Sequence, residues 1–246
     1  AKALGTFFII PLRSFRKDLR PYIDNLAVYI DSLEEVYKLP KGVKIIEIPY
    51  TLSHAFKEIK ASYPKTIVVI KLPLSGEAKE RSFALAKNGA EVIHLYADDN
   101  GMEFAEKPRF IKDAVKEIHL AFVEQGIRDE ITILASGGIA LAEHVAKTII
   151  CGADGVILDQ SFIVALECRL CKDCLEGMLC PIEIENIDSD WGAQRLINLM
   201  GSYRDQLLEV LGAMGMRDVR RLRGEMGRAI FYKDALREAF ASIERK

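Results

Sequence analysis

Short apolar segments rich in β-branched residues recur between residues 1 and about 165, and longer segments with helical spacing separate them. Most of the short segments are continuously apolar rather than alternating, which is typical of parallel strands buried on both faces. The predicted strands cover residues 6–12, 44–50, 66–72, 91–97, 131–135 and 154–158.

The segments between these strands carry apolar residues at a spacing of three or four, and several end at a glycine, as helices commonly do. The predicted helices cover residues 22–38, 53–62, 77–88, 109–125 and 140–149. Repeated strand–helix units predict an α/β fold with a parallel sheet, either a TIM-like (β/α) barrel or an open doubly wound sheet.

The strand pattern stops after residue 181, and residues 191–211 and 219–243 read as helices. We therefore expect two parts, a βα-barrel portion over residues 1–166 and an iron–sulfur cysteine loop with C-terminal helices over residues 167–246. Six strands are fewer than the eight of a complete barrel, which takes about 250 residues. The barrel is expected to be incomplete, with its first two units missing, supplied by another segment or replaced, and the start at Ala1 suggests a processed product or a fragment.

The amino-acid composition excludes several classes of protein. The chain has 246 residues, of which 50% are hydrophobic and 28% are charged, and a formal net charge of −2. This content supports a packed core and excludes a disordered chain. No apolar run approaches the roughly 18 residues of a membrane span, and the balanced charge argues against a dedicated nucleic-acid binder.

Four of the five cysteines lie close together, at Cys168, Cys171, Cys174 and Cys180, and Pro181 follows the last one. Cysteines two residues apart make strained disulfides, so the cluster indicates a metal site in a reducing compartment and a cytoplasmic protein. Three soft thiolates from a compact turn and one from its exit are typical of an iron–sulfur site. Zinc and reduced cysteines without metal are the alternatives.

A second motif, Ser136-Gly137-Gly138, lies between a predicted strand and a predicted helix. Glycines there let backbone approach a ligand, and the helix offers N–H groups to a phosphate, although a purely structural turn is also common. Lys71 interrupts an apolar strand and therefore needs a partner, unless it reaches out at the strand end. We expect each of His54, His94, His119 and His144 to be a helix or strand-end histidine, since no ligand spacing relates them.

Several motifs in order resemble the FMN-binding region of glutamate synthases, particularly the archaeal-type, single-domain members. They are ASGG at 135–138, GADG at 152–155, the cysteines at 168–180, WGAQR at 191–195 and LGAMGMR at 211–217. The resemblance implies a flavin-binding barrel followed directly by iron–sulfur ligands.

Residue by residue, the resemblance implies that Ser136, Gly137 and Gly138 bind the FMN phosphate, with Ser161 contributing. It places Lys71 near the flavin or the substrate carboxylates. The four clustered cysteines would hold a 4Fe–4S cluster, or three of them a 3Fe–4S cluster. The implied activity is that of an oxidoreductase, in which electrons from a ferredoxin or a flavoprotein subunit pass through the cluster to FMN and reduce an imine of 2-oxoglutarate.

Two segments depart from the family pattern. Asp159 follows the last predicted strand, where a phosphate cradle is expected, and the acidic loop 96–101 replaces a glycine-rich one. These departures support an alternative from another class, a non-catalytic electron-transfer or scaffold subunit built on a degenerate barrel.

Overall fold

Seven parallel strands form one sheet in the computed structural model, which describes residues 1–228. The strands follow one another in sequence order, and every neighbouring pair is parallel. They are β1 (Phe8–Pro11), β2 (Leu26–Tyr29), β3 (Ile45–Pro49), β4 (Ile67–Pro73), β5 (Val92–Tyr96), β6 (Thr132–Ser136) and β7 (Gly155–Val156). The sheet curls as in a β/α barrel, but within residues 1–228 its edge strands β1 and β7 do not pair with each other.

Six α-helices accompany the sheet in the described part of the chain. They are α1 (Phe56–Ser62), α2 (Ala78–Lys87), α3 (Ile111–Glu124), α4 (Ala142–Ile150), α5 (Gln160–Ala165) and α6 (Ser189–Ala213). Short 3₁₀ helices, including Lys17–Asn25, Leu33–Lys38 and Tyr50–Ala55, form the early connections. The predicted α/β fold with a parallel sheet is confirmed.

The main core lies between the sheet and its helices. Ile46, Ile70 and Ile93 come from one face of neighbouring strands and are at most 1% exposed. They belong to the same apolar cluster as Ile118 and Phe122 of α3. Because side chains alternate across a strand, every second residue points instead to the opposite, inner face of the curved sheet.

The predicted helix over 22–38 is wrong, because this segment contains the strand β2 between two 3₁₀ helices. Leu26, Ala27 and Val28 are at most 5% exposed in the sheet. Four residues are too few to show a strand period, so the sequence predicts six strands where the structure has seven.

The C-terminal segment differs from its prediction in part. The predicted helix 191–211 is confirmed as α6, whereas residues 219–228 form the 3₁₀ turns Val219–Leu222 and Met226–Arg228 rather than the start of a long helix. The rest of that predicted helix lies outside the described residues. A small apolar cluster joins Leu211 and Leu222 to Ile149 and Ile150 of α4.

Residues on either side of the predicted boundary at 166 thus pack against each other, and the division into two parts stays a prediction. No described helix combines the length and apolarity that crossing a bilayer requires.

Candidate functional site

The inner face of the sheet carries a row of polar and aromatic side chains. The strand register pairs Lys71 of β4 with His94 of β5, and Tyr96 of β5 with Ser136 of β6. Their neighbours in the row are Tyr29 of β2 and Glu47 of β3. Since all strands are parallel, these residues gather toward one end of the sheet, where ligands of β/α folds bind.

Three of these residues form a buried hydrogen-bonded chain. His94 Nδ1 lies 2.6 Å from Glu47 Oε1, and His94 Nε2 lies 2.7 Å from Ser136 Oγ. Glu47 and His94 are 2% exposed and Ser136 is 6% exposed. In the tautomer that carries its proton on Nδ1, His94 donates to the Glu47 carboxylate, and its Nε2 accepts a hydrogen bond from the Ser136 hydroxyl.

The structure corrects the expectation of a helix or strand-end histidine at position 94, because His94 lies in the middle of β5 and is hydrogen-bonded at both ring nitrogens. Its partners lie 47 and 42 residues away in the sequence. The spacing of residues along the chain contains no information on such distant pairs. The one available signal was that His94 is a polar residue inside an otherwise apolar predicted strand. The same observation applies to Glu47, which sequence reasoning missed.

Lys71 lies over aromatic rings on the inner face. Its Nζ atom is 4.9 Å from the ring centroid of Tyr96 and 5.7 Å from that of Tyr29. Such contacts attract a cation to the ring face. Within residues 1–228 the Lys71 ammonium makes no ion pair, so its charge is available to an anionic ligand. Burial raises the pKa of Tyr29, and the nearby carboxylates of Asp31 and Glu47 raise it further.

Gly137 and Gly138 are required by packing. Both have positive φ, at +100° and +67°. A Cβ at Gly137 would lie 2.5 Å from the Ala97 carbonyl oxygen, and one at Gly138 would lie 2.4 Å from the Gly101 nitrogen. The two glycines therefore let loop 97–101 pack directly on the end of β6. That loop is held by Asp98, whose Oδ1 accepts from the Met102 N–H at 2.7 Å.

Hydrogen-bonding capacity for an anion remains at this edge of the sheet. Within the described residues, the N–H groups of Gly137 and Gly138 donate no hydrogen bond. Ser161 follows the adjacent strand β7, and its buried Oγ has no hydrogen-bond partner there either. Buried polar atoms are normally paired, so an unpartnered hydroxyl that follows β7 and free amides that follow the neighbouring β6 fit a phosphate or carboxylate group. Asp159 turns its carboxylate to the start of α5, where Oδ1 accepts from the Gln160 N–H at 2.6 Å.

The cysteine loop presents four thiols but does not gather them. Cys168 and Cys180 are half-buried, Cys171 and Cys174 are exposed, and the described residues contain no group of three or more potential ligands placed for a metal. The chemistry of the donor set nevertheless fits a soft metal centre, because the thiols are unpaired and backbone amides point at sulfur. The Leu170 N–H donates to Cys168 Sγ at 3.5 Å. Backbone N–H groups of residues 182–184 lower the pKa of the Cys180 thiol.

A second buried polar cluster lies away from this site and joins the C-terminal segment to the sheet. Arg128 Nε donates to His119 Nδ1 at 2.9 Å, and Arg128 Nη2 donates to Asp154 Oδ2 at 2.7 Å. Arg223 donates to the other oxygen of Asp154 at 2.7 Å. Burial lowers the pKa of His119, and the charge of Arg128 lowers it further. The cluster is structural, since its hydrogen bonds are made within the protein.

Comparison with known protein families shows which family this chain belongs to. A family profile described as "Conserved region in glutamate synthase" matches residues 40–217. The chain belongs to the glutamate synthase family. This match confirms the resemblance drawn from the motifs.

Relatives of this glutamate synthase family chain include two archaeal proteins. Over 179 residues it is 31% identical to the "Archaeal glutamate synthase (NADPH)" of Methanocaldococcus jannaschii, covering 67% of this chain and 35% of that protein. Over 188 residues it is 31% identical to the protein of that name from Archaeoglobus fulgidus, covering 70% and 36%. The chain thus spans about a third of the length of these curated relatives.

Among solved structures, this member of the glutamate synthase family resembles flavocytochrome b2. A mutant with pyruvate bound gives a TM-score of 0.58 at 16% identity, covering 91% of this chain and 62% of that chain. A mutant with benzoylformate gives a TM-score of 0.57 at 17% identity, covering 94% and 64%. At these identities the likeness establishes a shared β/α-barrel fold.

Proposed function

We propose that this chain is the flavin- and iron–sulfur-dependent part of a glutamate synthase-like oxidoreductase. The proposed reaction is reduction of an imine of 2-oxoglutarate and ammonia to glutamate, with electrons from a ferredoxin or a flavoprotein subunit. The observation that carries the proposal is the set of groups at the carboxyl end of the strands that attract an anion, namely the Lys71 ammonium, the amides of Gly137 and Gly138 and the Ser161 hydroxyl, which have no hydrogen-bond or ion-pair partner within residues 1–228. Family membership supports the reaction.

When bound, FMN supplies hydride transfer and an iron–sulfur cluster supplies single-electron transfer. In this proposal, the amides of Gly137 and Gly138 and the Ser161 hydroxyl donate to the FMN phosphate. Ser136 belongs to the same cradle by position, with its hydroxyl turned toward His94.

The phosphate cradle is tested by Ser161→Ala. Removing a hydrogen bond to a charged group costs about 1.5–3 kcal/mol, which corresponds to an increase of roughly tenfold to a hundredfold in the Kd for FMN. Quenching of flavin fluorescence on titration of the full chain measures it. Ser202→Ala, on the exposed side of α6, is the matched control and leaves the Kd unchanged. Unchanged affinity in Ser161→Ala would place the phosphate elsewhere.

We propose that Lys71 pairs with a carboxylate of the substrate. Lys71→Gln leaves a polar side chain one atom shorter and removes the charge, so we expect the KM for 2-oxoglutarate to rise by at least about tenfold, the loss of an ion pair worth roughly 1.4 kcal/mol. Glutamate formation with ammonia and a chemical reductant measures it. Lys65→Gln is the control, because Lys65 precedes the same strand at its other end and is exposed. An unchanged KM contradicts this role for Lys71.

Cys168, Cys171, Cys174 and Cys180 are proposed as the cluster ligands. Analysis of iron and acid-labile sulfide in the purified chain tests this, and zinc without sulfide would support the structural alternative. Cys180→Ser should lower the iron content, whereas Cys151→Ala, a buried cysteine outside the loop, should not. Electron paramagnetic resonance of oxidised and reduced samples separates a 4Fe–4S cluster from a 3Fe–4S cluster.

A second candidate function is a non-catalytic electron-transfer or scaffold subunit. It is favoured by Asp159, whose carboxylate caps α5 at the edge proposed for the phosphate, and by the edges β1 and β7, which pair with no further strand within residues 1–228. Another subunit or a further barrel segment would then complete the enzyme. Iron–sulfur absorption without flavin bands, and no rise in flavin on addition of FMN, would favour this candidate. The predicted cytoplasmic location stays a prediction in both cases.

A further inference from the structure

The Lys71 ammonium is held by aromatic rings rather than by a carboxylate. Its Nζ atom lies 4.9 Å from the ring centroid of Tyr96 and 5.7 Å from that of Tyr29, and within residues 1–228 it has no ion-pair partner. The two rings reach the lysine from β5 and β2, strands on either side of β4 in the sheet. All three residues are half-buried, so a small solute has access to them.

The loop that follows β5 fixes the ring of Tyr96. Phe104 meets this ring edge to face, with centroids 5.4 Å apart and an interplanar angle of 63°. The Phe104 N–H donates to the carbonyl of Leu74, just after β4, at 2.7 Å. The neighbouring Glu103 is buried, and its carboxylate accepts from two guanidinium nitrogens of Arg109 at 2.7 and 2.8 Å. Because these contacts hold the loop, the Tyr96 ring keeps its place.

Ring faces and a carboxylate hold a lysine with different consequences. The face of an aromatic ring carries negative potential and attracts a cation, but it brings no full negative charge. The ammonium therefore stays able to pair with an anion, whereas a carboxylate partner would already neutralise it. The same ring faces repel an incoming carboxylate, so an anion approaches Lys71 from the side that the rings leave open.

We infer that Tyr96, with a smaller contribution from Tyr29, is a positioning residue that holds the Lys71 ammonium in place for a carboxylate of the substrate. This role rests on the proposed pairing of Lys71 with that carboxylate. Both rings act through the lysine and make no bond to the substrate. Tyr96 contributes more because its ring is the nearer of the two. Since the ring face is the attracting group, the tyrosine hydroxyl is dispensable.

Nuclear magnetic resonance of the full chain with ¹³C-labelled lysines tests the placement without any ligand. An aromatic ring moves the resonances of protons above its face upfield, so the ε-methylene signal of Lys71 should lie upfield of that of the exposed Lys65. Lys71→Gln identifies the signal by its loss. Tyr96→Leu should move the signal toward that of Lys65, and Tyr96→Phe should leave it in place. Equal shifts for Lys71 and Lys65 in the wild-type chain overturn the inference, whatever the activity.

Substrate binding tests the consequence of that placement. Tyr96→Leu should raise the KM for 2-oxoglutarate by about threefold to thirtyfold, the range that a cation–π contact accounts for, without changing kcat. Tyr96→Phe keeps the ring and should keep the wild-type KM. Tyr22→Leu is the matched control, because Tyr22 also has a lysine over its ring, with Lys2 Nζ 5.8 Å from the centroid. Tyr22 precedes β2, at the other end of that strand from Tyr29.

Two results separate this inference from the proposed role of Lys71. A wild-type KM in Lys71→Gln refutes the pairing of Lys71 with the substrate. A raised KM in Lys71→Gln together with a wild-type KM in Tyr96→Leu refutes the positioning role alone. In the variant that carries both changes, the KM should equal that of Lys71→Gln, because the ring acts only through the lysine, and a further threefold rise overturns this.

Two safeguards keep the test decisive. Circular dichroism checks that each variant folds, and should Tyr96→Leu unfold, the KM and the lysine signal of Tyr29→Leu and Tyr29→Phe decide in the same way. If the wild-type chain forms no glutamate, the proposed function fails. Titration of 2-oxoglutarate followed at the Lys71 signal then gives a Kd in place of the KM, and an equal Kd in the wild-type chain and Tyr96→Leu overturns the positioning role.

Discussion

Replacing Gly138 by alanine tests whether loop 97–101 packs on the end of β6 as described. The added methyl carbon would lie 2.4 Å from the Gly101 nitrogen, 2.6 Å from the Gly101 Cα and 2.8 Å from the Asn100 carbonyl carbon. All three are backbone atoms, which cannot rotate away as a side chain does. The backbone conformation adds to this cost, since φ is +67° at Gly138.

The magnitude follows from two contributions. A left-handed conformation costs an alanine about 1–2 kcal/mol, and overpacking of a close-packed contact typically costs about 1–3 kcal/mol. We therefore expect Gly138→Ala to lower the free energy of unfolding by about 2–5 kcal/mol. Gly126 has φ of +70° with no atom within 4 Å of an added Cβ, so Gly126→Ala isolates the conformational cost. The difference in the free energy of unfolding between the two variants measures the cost of the steric clash at Gly138.

Urea unfolding of the full chain without added FMN, followed by circular dichroism, measures both free energies. The absence of FMN matters, because a glycine needed only for a bound phosphate would show no effect in the free chain. If Gly138→Ala and Gly126→Ala agree within about 0.5 kcal/mol, a typical margin for independent sites, the described contact is wrong.

Three further predictions concern stability and are measured by the same unfolding assay. Asp154→Asn, which removes the charge from a part-buried pair with Arg128, should cost about 1.5–3 kcal/mol, whereas Asp129→Asn, whose side chain is 88% exposed, should cost less than about 1 kcal/mol. The lowered pKa of His119 means that the unfolded chain binds more protons below pH of about 6.5. Stability should therefore fall as pH drops through that value, by at most about 1.4 kcal/mol per unit, and His119→Gln should flatten the fall. Phe122→Ala should cost about 3–5 kcal/mol, and the half-exposed Val123→Ala about 0.5 kcal/mol or less.

Much of the fold was predictable because parallel strands buried on both faces read as continuous apolar runs. Four of the six predicted strands, over 44–50, 66–72, 91–97 and 131–135, are central strands that show this pattern. The strand β2 was not predictable, because it is four residues long and lies between 3₁₀ helices whose apolar spacing imitates one long helix. Its pairing with β1 and β3 decides its conformation.

Some features of the candidate site were likewise predictable from the sequence, and others depended on the tertiary structure. The sequence by itself determined the family, the cysteine spacing and the prominence of Lys71 and the Ser136 motif, because these depend on residues near one another in the chain. The contact of His94 with Glu47 and Ser136 exists only once β3, β5 and β6 stand in one sheet. The steric need for two glycines likewise depends on loop 97–101, which only the tertiary structure brings against them.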